Sequence, residues 1–124
     1  MSSKKDVTFF EYAACSTCRK AKHWLDAHGI VYRAVPIVES PPSVQELARL
    51  VKKSGLPMER WFNTSGQSYR ELLGRIGKEQ FAALGEAEKL RLLAGDGKMI
   101  KRPVIVTDEE VIVGFDEAKY ASLG

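Results

Sequence analysis

Residues 7–37, VTFFEYAACSTCRKAKHWLDAHGIVYRAVPI, decide the fold because they contain a strand, a helix and a second strand in succession. Val7–Tyr12 is rich in aromatic and β-branched residues and apolar on both faces, which predicts a strand covered on both sides. Ser16–His28 has no internal Gly or Pro, and Gly29 follows where a helix end favours glycine. Ile30–Ile37 predicts a second strand, which the helical connection makes parallel to the first. We therefore predict a right-handed βαβ unit.

The rest of the chain divides into a helical part and a pair of strands. Residues 43–97 contain short apolar-periodic segments separated by Gly and Ser, and the first begins with the capping-box sequence SVQE. Pro103–Thr107 and Val111–Gly114 flank an acidic turn and predict an antiparallel hairpin. The fold class is therefore α/β, a thioredoxin-like four-stranded mixed sheet with an all-helical insert after strand 2. The predicted strands lie near residues 7–12, 31–36, 104–107 and 111–114.

Composition indicates one globular domain over residues 1–124, with the helical insert at about 43–97. The chain is 44% hydrophobic and 28% charged, which is typical of soluble globular proteins. Apolar runs such as Val104–Val106 are too short to span a bilayer. Met1–Asp6 leads directly into a strand and leaves no room for a signal peptide. We therefore expect a cytoplasmic protein, and a net charge of +3 is too small to indicate a nucleic-acid partner.

The two cysteines, Cys15 and Cys18, lie at the turn from strand 1 into helix 1. In the reducing cytosol a Cys-x-x-Cys pair is more often catalytic, sensing or metal-binding than a structural disulfide. Free N–H groups and the dipole at a helix N-terminus stabilise a thiolate and can lower a thiol pKa from about 8.5 into the range of roughly 3.5–7.5. Arg19, Lys20 and Lys22 either add positive charge there or form a solvated face.

The positions of the two thiols predict different roles in a redox centre. Cys15, before the helix, should be the exposed nucleophile, and Cys18, inside the first turn, the buried resolving thiol that closes a disulfide with it. Two other interpretations stay open: both thiols are inert, or they bind zinc together with His23 and His28. A zinc site needs four side chains that converge on one point. His23 and His28 are five residues apart, so on a continuous helix their side chains would point about 140° apart, which opposes a shared zinc site.

Three blocks of sequence carry a resemblance to a known family: FFEYAACSTCRKAKHWLDAHGI, FNTSGQSYRELLG and IKRPVIVTDEEVIVGFDE. In this order they resemble the arsenate reductase (ArsC)/Spx family of thioredoxin-like proteins. The resemblance implies that Cys15 is the nucleophile and that Arg102-Pro103 forms a cis-proline loop beside it. The sequence is most similar to short, glutaredoxin-like members with a Cys-x-x-Cys, which implies thiol–disulfide exchange.

The resemblance leaves two alternatives to that activity. One is an Spx-like redox-sensing regulator that binds RNA polymerase. The other is an arsenate reductase with a reduced arginine set, because only Arg102 remains of the three arginines that hold the oxyanion in the family. The other two fall near Phe62-Asn63 and near Gly114.

Further candidates follow from the proline loop and the polar turn of the insert. Lys98, Lys101 and Arg102 precede Pro103, and such a basic rim could bind a carboxylate of glutathione or stabilise the Cys15 thiolate. Asn63 could line the cleft. We therefore predict Cys15, Cys18 and Arg102 as catalytic residues. Pro103, Asn63 and Lys101 are the predicted substrate-binding residues. The expected partner is a thiol or disulfide substrate, either glutathione or a client protein, with no cofactor and no metal.

Overall fold

A computed structural model describes residues 6–123. Residues 1–5, which the signal-peptide expectation concerns, lie outside the described residues. Four strands form one sheet: β1 Thr8–Glu11, β2 Arg33–Pro36, β3 Val104–Val106 and β4 Val111–Val113. The helices are α1 Ser16–Ala27, α2 Val44–Ser54, α3 Gln67–Ile76, α4 Lys78–Ala83, α5 Glu86–Gly95 and α6 Glu117–Tyr120. Three 3₁₀ turns cover Met58–Trp61, Gly97–Met99 and Ala121–Leu123.

The sheet has the strand order β2-β1-β3-β4. β1 runs parallel to β2 and antiparallel to β3, and β3 runs antiparallel to β4. The prediction of an α/β fold with a four-stranded mixed sheet is therefore confirmed. Each strand is one or two residues shorter than predicted, because the terminal residues already belong to the connections between the elements.

Successive side chains of the central strands point to opposite faces of the sheet and pack into two separate apolar clusters, one on each face. On one face Phe9 and Ile105 pack with Ala21 and Leu25 of α1 and with Tyr120 of α6. On the other face neighbouring strand residues pack against the helical insert through Phe10, Val104, Leu47, Trp61, Leu93 and Ile100. α1 and α6 therefore cover one face and the insert covers the other.

The segment between β2 and β3 is built from helices and 3₁₀ turns, as predicted. Its first helix begins at Ser43, whose side chain accepts the N–H of Glu46, and ends at Gly55 with a φ of 71°. Within residues 6–123 its only strand-like pairing is a single bridge between Phe62 and Ile100. That bridge joins the residue after the first 3₁₀ turn of the insert to the segment that leads into β3.

No helix within residues 6–123 combines the length and the apolar character that crossing a membrane requires.

Candidate active site

Cys15 occupies the N-cap position of α1 at the end of a tight turn. The chain leaves β1 after Glu11, and the N–H of Cys15 donates to the carbonyl of Tyr12 at 2.9 Å. Nη1 of Arg19 donates to the carbonyl of Ala13 at 3.0 Å and ties this turn to the helix. The backbone of Cys15 is extended, with φ −90° and ψ 122°. The helix therefore begins directly under the Cys15 sulfur, where its first N–H groups face the thiol.

Cys18 lies one turn into α1 and is 1% exposed, whereas Cys15 is half-buried. The pKa of Cys18 is raised to about 12, mainly by burial, and the hydrogen bond with Cys15 and the negative charge of Cys15 contribute to the increase. The N–H of Tyr12, which donates to Cys18 Sγ at 3.4 Å, and the charge of Arg102 offset only part of this increase. Cys18 is therefore a protonated thiol at neutral pH.

Cys15 has the opposite shift. Burial raises the pKa of its thiol, but hydrogen bonds that favour the thiolate outweigh burial, so the pKa lies below that of a free thiol. These bonds come from the backbone and side chain of Cys18, from the side chain of Arg102 and from the backbone of Thr17. The two cysteines are not bonded to each other in this structure. The site can therefore present a thiolate at Cys15 beside a neutral thiol at Cys18.

Arg102 approaches Cys15 from the loop before β3. Its Nη1 donates to the carbonyl of Lys98 at 3.2 Å, and its Cζ lies 4.8 Å from the centre of the Tyr12 ring. Its buried Nε has no hydrogen-bond partner in the part of the chain that the structure describes. The structure therefore brings together Cys15, Cys18 and Arg102, the three residues predicted to be catalytic.

The Arg102–Pro103 peptide is cis, as predicted. The side chain of Pro103 is fully buried, and its carbonyl accepts the N–H of Gly114 at 2.7 Å. The ring of Pro103 therefore faces the protein interior. Of the three predicted substrate-binding residues, Asn63 and Lys101 line the cavity beside Cys15, and Pro103 does not.

A cavity of about 570 Å³ opens onto Cys15. Its lining includes the predicted residues Asn63, Lys101 and Arg102 and two cations that the sequence did not indicate, Arg60 and Lys119. Asp116 also lines it, and its carboxylate accepts the N–H groups of Ala118 and Lys119 at the start of α6. The cavity is therefore a polar, predominantly cationic site with a thiol in its wall.

Part of the positive charge near Cys15 comes from segments that the sequence did not indicate. Lys22, for which added charge at the thiol and a solvated face were both open, donates to the Tyr32 hydroxyl at 2.8 Å, and its Nζ lies 3.9 Å from Oδ2 of Asp26. The cavity cations belong to the 3₁₀ turn Met58–Trp61, to the loop before β3 and to α6. The one feature of the sequence that could have indicated Arg60 as a cavity residue is its position three residues before Asn63.

The histidines of the zinc interpretation lie on the outer side of α1. His28 is exposed, stacks on Trp24 with ring centres 3.8 Å apart, and its Nδ1 lies 2.8 Å from the Trp24 carbonyl. α1 continues without a break past His23. Across residues 6–123 no three Cys, His, Asp or Glu side chains group as metal ligands do.

Comparison with known proteins places this site in a family context. The model of the ArsC family matches residues 10–123. The uncharacterized protein YusI of Bacillus subtilis is 48% identical over 114 residues, with 92% of this chain and 94% of YusI covered. The global transcriptional regulator Spx of Streptococcus mutans is 27% identical, covering 90% of this chain and 77% of Spx. A crystal structure of an ArsC family related protein from Bacteroides fragilis superposes with a TM-score of 0.90 at 40% identity, covering 98% of this chain and all of that one.

Proposed function

The chain belongs to the ArsC family, and we propose that it is a thiol–disulfide oxidoreductase in which Cys15 is the nucleophile and Cys18 the resolving thiol. One observation carries the proposal: two thiols one helical turn apart have oppositely shifted pKa values, and the one with the lowered pKa opens onto a cavity. The thiolate is the attacking species in such exchange, so the lowered pKa selects Cys15 as the group that meets the substrate.

The exchange proceeds through two displacements that transfer two electrons from the protein to the substrate. The Cys15 thiolate attacks one sulfur of a substrate disulfide, forms a mixed disulfide with it and releases the other sulfur as a thiolate. Cys18 then attacks the Cys15 sulfur, closes the Cys15–Cys18 disulfide and releases the second substrate thiolate. A low-molecular-weight or protein thiol reduces this disulfide again and is itself oxidised.

The pKa of Cys18 falls when it is needed as a nucleophile. Its hydrogen bond with Cys15 and the negative charge of the Cys15 thiolate both raise the Cys18 pKa, and both effects end when Cys15 enters a mixed disulfide. The positive charge of Arg102 and the N–H of Tyr12 continue to favour a Cys18 thiolate. The substrate thiolate released in the first step can accept the Cys18 proton.

The cavity beside Cys15 is the proposed binding site for the substrate. Arg102 stabilises the Cys15 thiolate, and Asn63 and Lys101 line the space that a substrate disulfide would enter. Arg60 and Lys119 add positive charge at the same cavity, which favours a substrate with a carboxylate near its sulfur. Glutathione and an acidic segment of a client protein both have this chemistry. The cytoplasm, where thiols are kept reduced, is the compartment that suits the reaction.

The test is a trapping experiment with Cys18→Ser. This variant should accumulate a mixed disulfide on Cys15, which mass spectrometry identifies, when it reacts with 2-hydroxyethyl disulfide in the absence of free thiol, because no second thiol can then resolve the adduct. Cys15→Ser is the matched control and should form no adduct. An unmodified Cys18→Ser protein, or an adduct that forms equally on Cys18 in Cys15→Ser, would contradict the assignment.

A second candidate function is a redox switch, and the 27% identity to Spx over 111 residues favours it. Under this alternative the same Cys15–Cys18 disulfide changes the affinity for RNA polymerase instead of turning over a substrate. Pull-down of purified RNA polymerase with oxidised and reduced protein separates the two functions. Redox-dependent capture without disulfide turnover supports the switch, and turnover without capture supports the enzyme.

A further inference from the structure

Tyr12 contacts all three groups of the proposed redox centre. Its carbonyl accepts the N–H of Cys15 at 2.9 Å, its N–H donates to Sγ of Cys18 at 3.4 Å, and its ring faces the guanidinium of Arg102 with 4.8 Å between ring centre and Cζ. The two backbone contacts survive any substitution at this position, whereas the ring contact depends on the side chain. The role of the ring can therefore be separated from the role of the turn.

The ring contact matters because Arg102 is otherwise weakly held. Of its guanidinium nitrogens, Nη1 donates to the Lys98 carbonyl at 3.2 Å, while the buried Nε lacks a partner among residues 6–123. A guanidinium held at one end can rotate about its long side chain, and the face of an aromatic ring attracts it and restricts that rotation. We propose that Tyr12 is a positioning residue whose ring holds the Arg102 guanidinium against the Cys15 sulfur. This inference rests on the proposed role of Cys15 as the nucleophile.

Several other charged groups face Cys15 and bear on any measurement of its ionisation. Arg60 approaches from the 3₁₀ turn, Lys101 from the loop before β3, and Asp116 and Lys119 from the start of α6. Cys18 faces Cys15 from its own helix. Among residues 6–123, the charge that the Tyr12 ring faces is the Arg102 guanidinium. A change at the Tyr12 ring should therefore reach Cys15 through Arg102.

The test measures the pKa of Cys15 from the pH dependence of its alkylation by iodoacetamide in the full-length reduced protein. Tyr12→Leu removes the ring and leaves the backbone contacts in place. A cation–π contact of ordinary strength corresponds to a rise of roughly half a pKa unit, which is about a threefold smaller thiolate fraction below the pKa. Tyr12→Phe keeps the face of the ring and should therefore keep the pKa of Cys15 at its wild-type value.

A double-mutant cycle with Arg102→Gln distinguishes positioning from a general structural effect. In the Arg102→Gln background Tyr12→Leu should move the Cys15 pKa no further, because the cation that the ring holds is absent. Tyr69→Leu is the matched control, since Tyr69 packs partly buried against the same apolar cluster as Tyr12. It should leave the Cys15 pKa unchanged.

Pentafluorophenylalanine at position 12 tests the same ring contact if the Tyr12→Leu variant does not fold. It retains a ring of similar size and reverses the charge distribution of the ring face, so it should raise the Cys15 pKa as Tyr12→Leu does. An unchanged pKa in Tyr12→Leu and in the pentafluorophenylalanine variant, or an equal rise in the Arg102→Gln background, would overturn the proposal. The readout needs only an ionising Cys15, so exchange activity can fail while the positioning role of Tyr12 is upheld, or the reverse.

Discussion

Cys15 and Cys18 lie one helical turn apart in opposite surroundings. Cys15 ends a turn at the mouth of α1 and opens onto a cationic cavity, whereas Cys18 is 1% exposed and accepts a backbone N–H from Tyr12. The lowered pKa of one thiol and the raised pKa of the other follow from this difference. Under the proposed redox function, this asymmetry predicts that Cys15 reacts before Cys18.

The first prediction concerns the reactivity of the two thiols with pH. Hydrogen bonds from Arg102 and the helix N-terminus favour the Cys15 thiolate, so Cys18→Ser should react with iodoacetamide with a midpoint below the roughly 8.5 of a free thiol. In Cys15→Ser the remaining Cys18 should stay almost unreactive up to pH 9, because burial keeps it protonated and shielded.

Peptide mapping of the alkylated wild-type protein checks the same assignment without a substitution. Modification should appear on Cys15 before Cys18 at every pH from 6 to 9. Preferential labelling of Cys18 at neutral pH would reverse the roles of the two thiols.

Sequence patterns predicted the elements of this fold because their signals are local. Phe9 and Phe10 supply one apolar side chain to each face of the sheet, and Gly29, with a φ of 68°, ends the helix that follows. The position of the two thiols was predictable for the same reason, since they lie at a strand-to-helix turn.

The environment of the thiols was only partly predictable because distant segments build it. Arg60 and Lys119 reach the cavity only after the insert and α6 have packed on opposite faces of the sheet. Tyr12 was predicted as the last residue of strand 1. It instead leaves the sheet, because its carbonyl closes the turn to Cys15. No periodicity in the sequence distinguishes these positions from ordinary surface or core residues.

The second prediction concerns a close backbone approach at Gly97. A Cβ at this position would lie 2.7 Å from Cα of Val38 and would also clash with the Ile37 carbonyl. Backbone atoms cannot move aside cheaply, so Gly97→Ala should lower the free energy of unfolding by about 1–3 kcal/mol. Urea denaturation followed by circular dichroism measures the change.

Gly74→Ala is the matched control for Gly97→Ala. Gly74 lies within α3, and a Cβ there would meet no atom within 4 Å. Alanine is the better helix former, so this variant should gain about 0.5–1 kcal/mol. A loss of stability in Gly97→Ala no larger than the experimental error would show that the segment after α5 can shift away from β2.

The third prediction concerns the ion pair between Lys89 and Glu59. Lys89 Nζ lies 2.8 Å from Glu59 Oε2, and the lysine side chain is 7% exposed while the glutamate is 60% exposed. Glu59→Ala should cost about 1 kcal/mol because it leaves a buried ammonium without its acceptor. Lys89→Met should be nearly neutral, since methionine fills the same space beside Phe81 and the exposed glutamate stays hydrated.

The same pair makes stability depend on pH. The hydrogen bond from Lys89 lowers the pKa of Glu59 in the folded protein, so its contribution is present above the unfolded-state pKa of about 4.3. It is lost as the pH falls through the folded-state value. The stability difference between wild type and Glu59→Ala should therefore shrink between pH 6 and pH 3. A difference that stays constant over this range would contradict the ionic origin of the effect.

The last prediction is that arsenate is a poor substrate. The family resemblance places two oxyanion-binding arginines near Asn63 and Gly114, and both residues line the cavity with Cys15 but supply no guanidinium. A dianion needs several charge-assisted hydrogen bonds, and Arg102 already uses Nη1 on the Lys98 carbonyl. Arg60 and Lys119 add charge from exposed positions, where water and salt screen it. Arsenite production with glutathione and glutaredoxin should therefore stay near the uncatalysed background.

Asn63→Arg, which adds a guanidinium at the cavity, should let arsenate protect Cys15 from alkylation at lower concentrations than in the wild type. Steady arsenite production by the wild-type protein at rates typical of an enzyme would show instead that Arg60, Arg102 and Lys119 together suffice for the oxyanion.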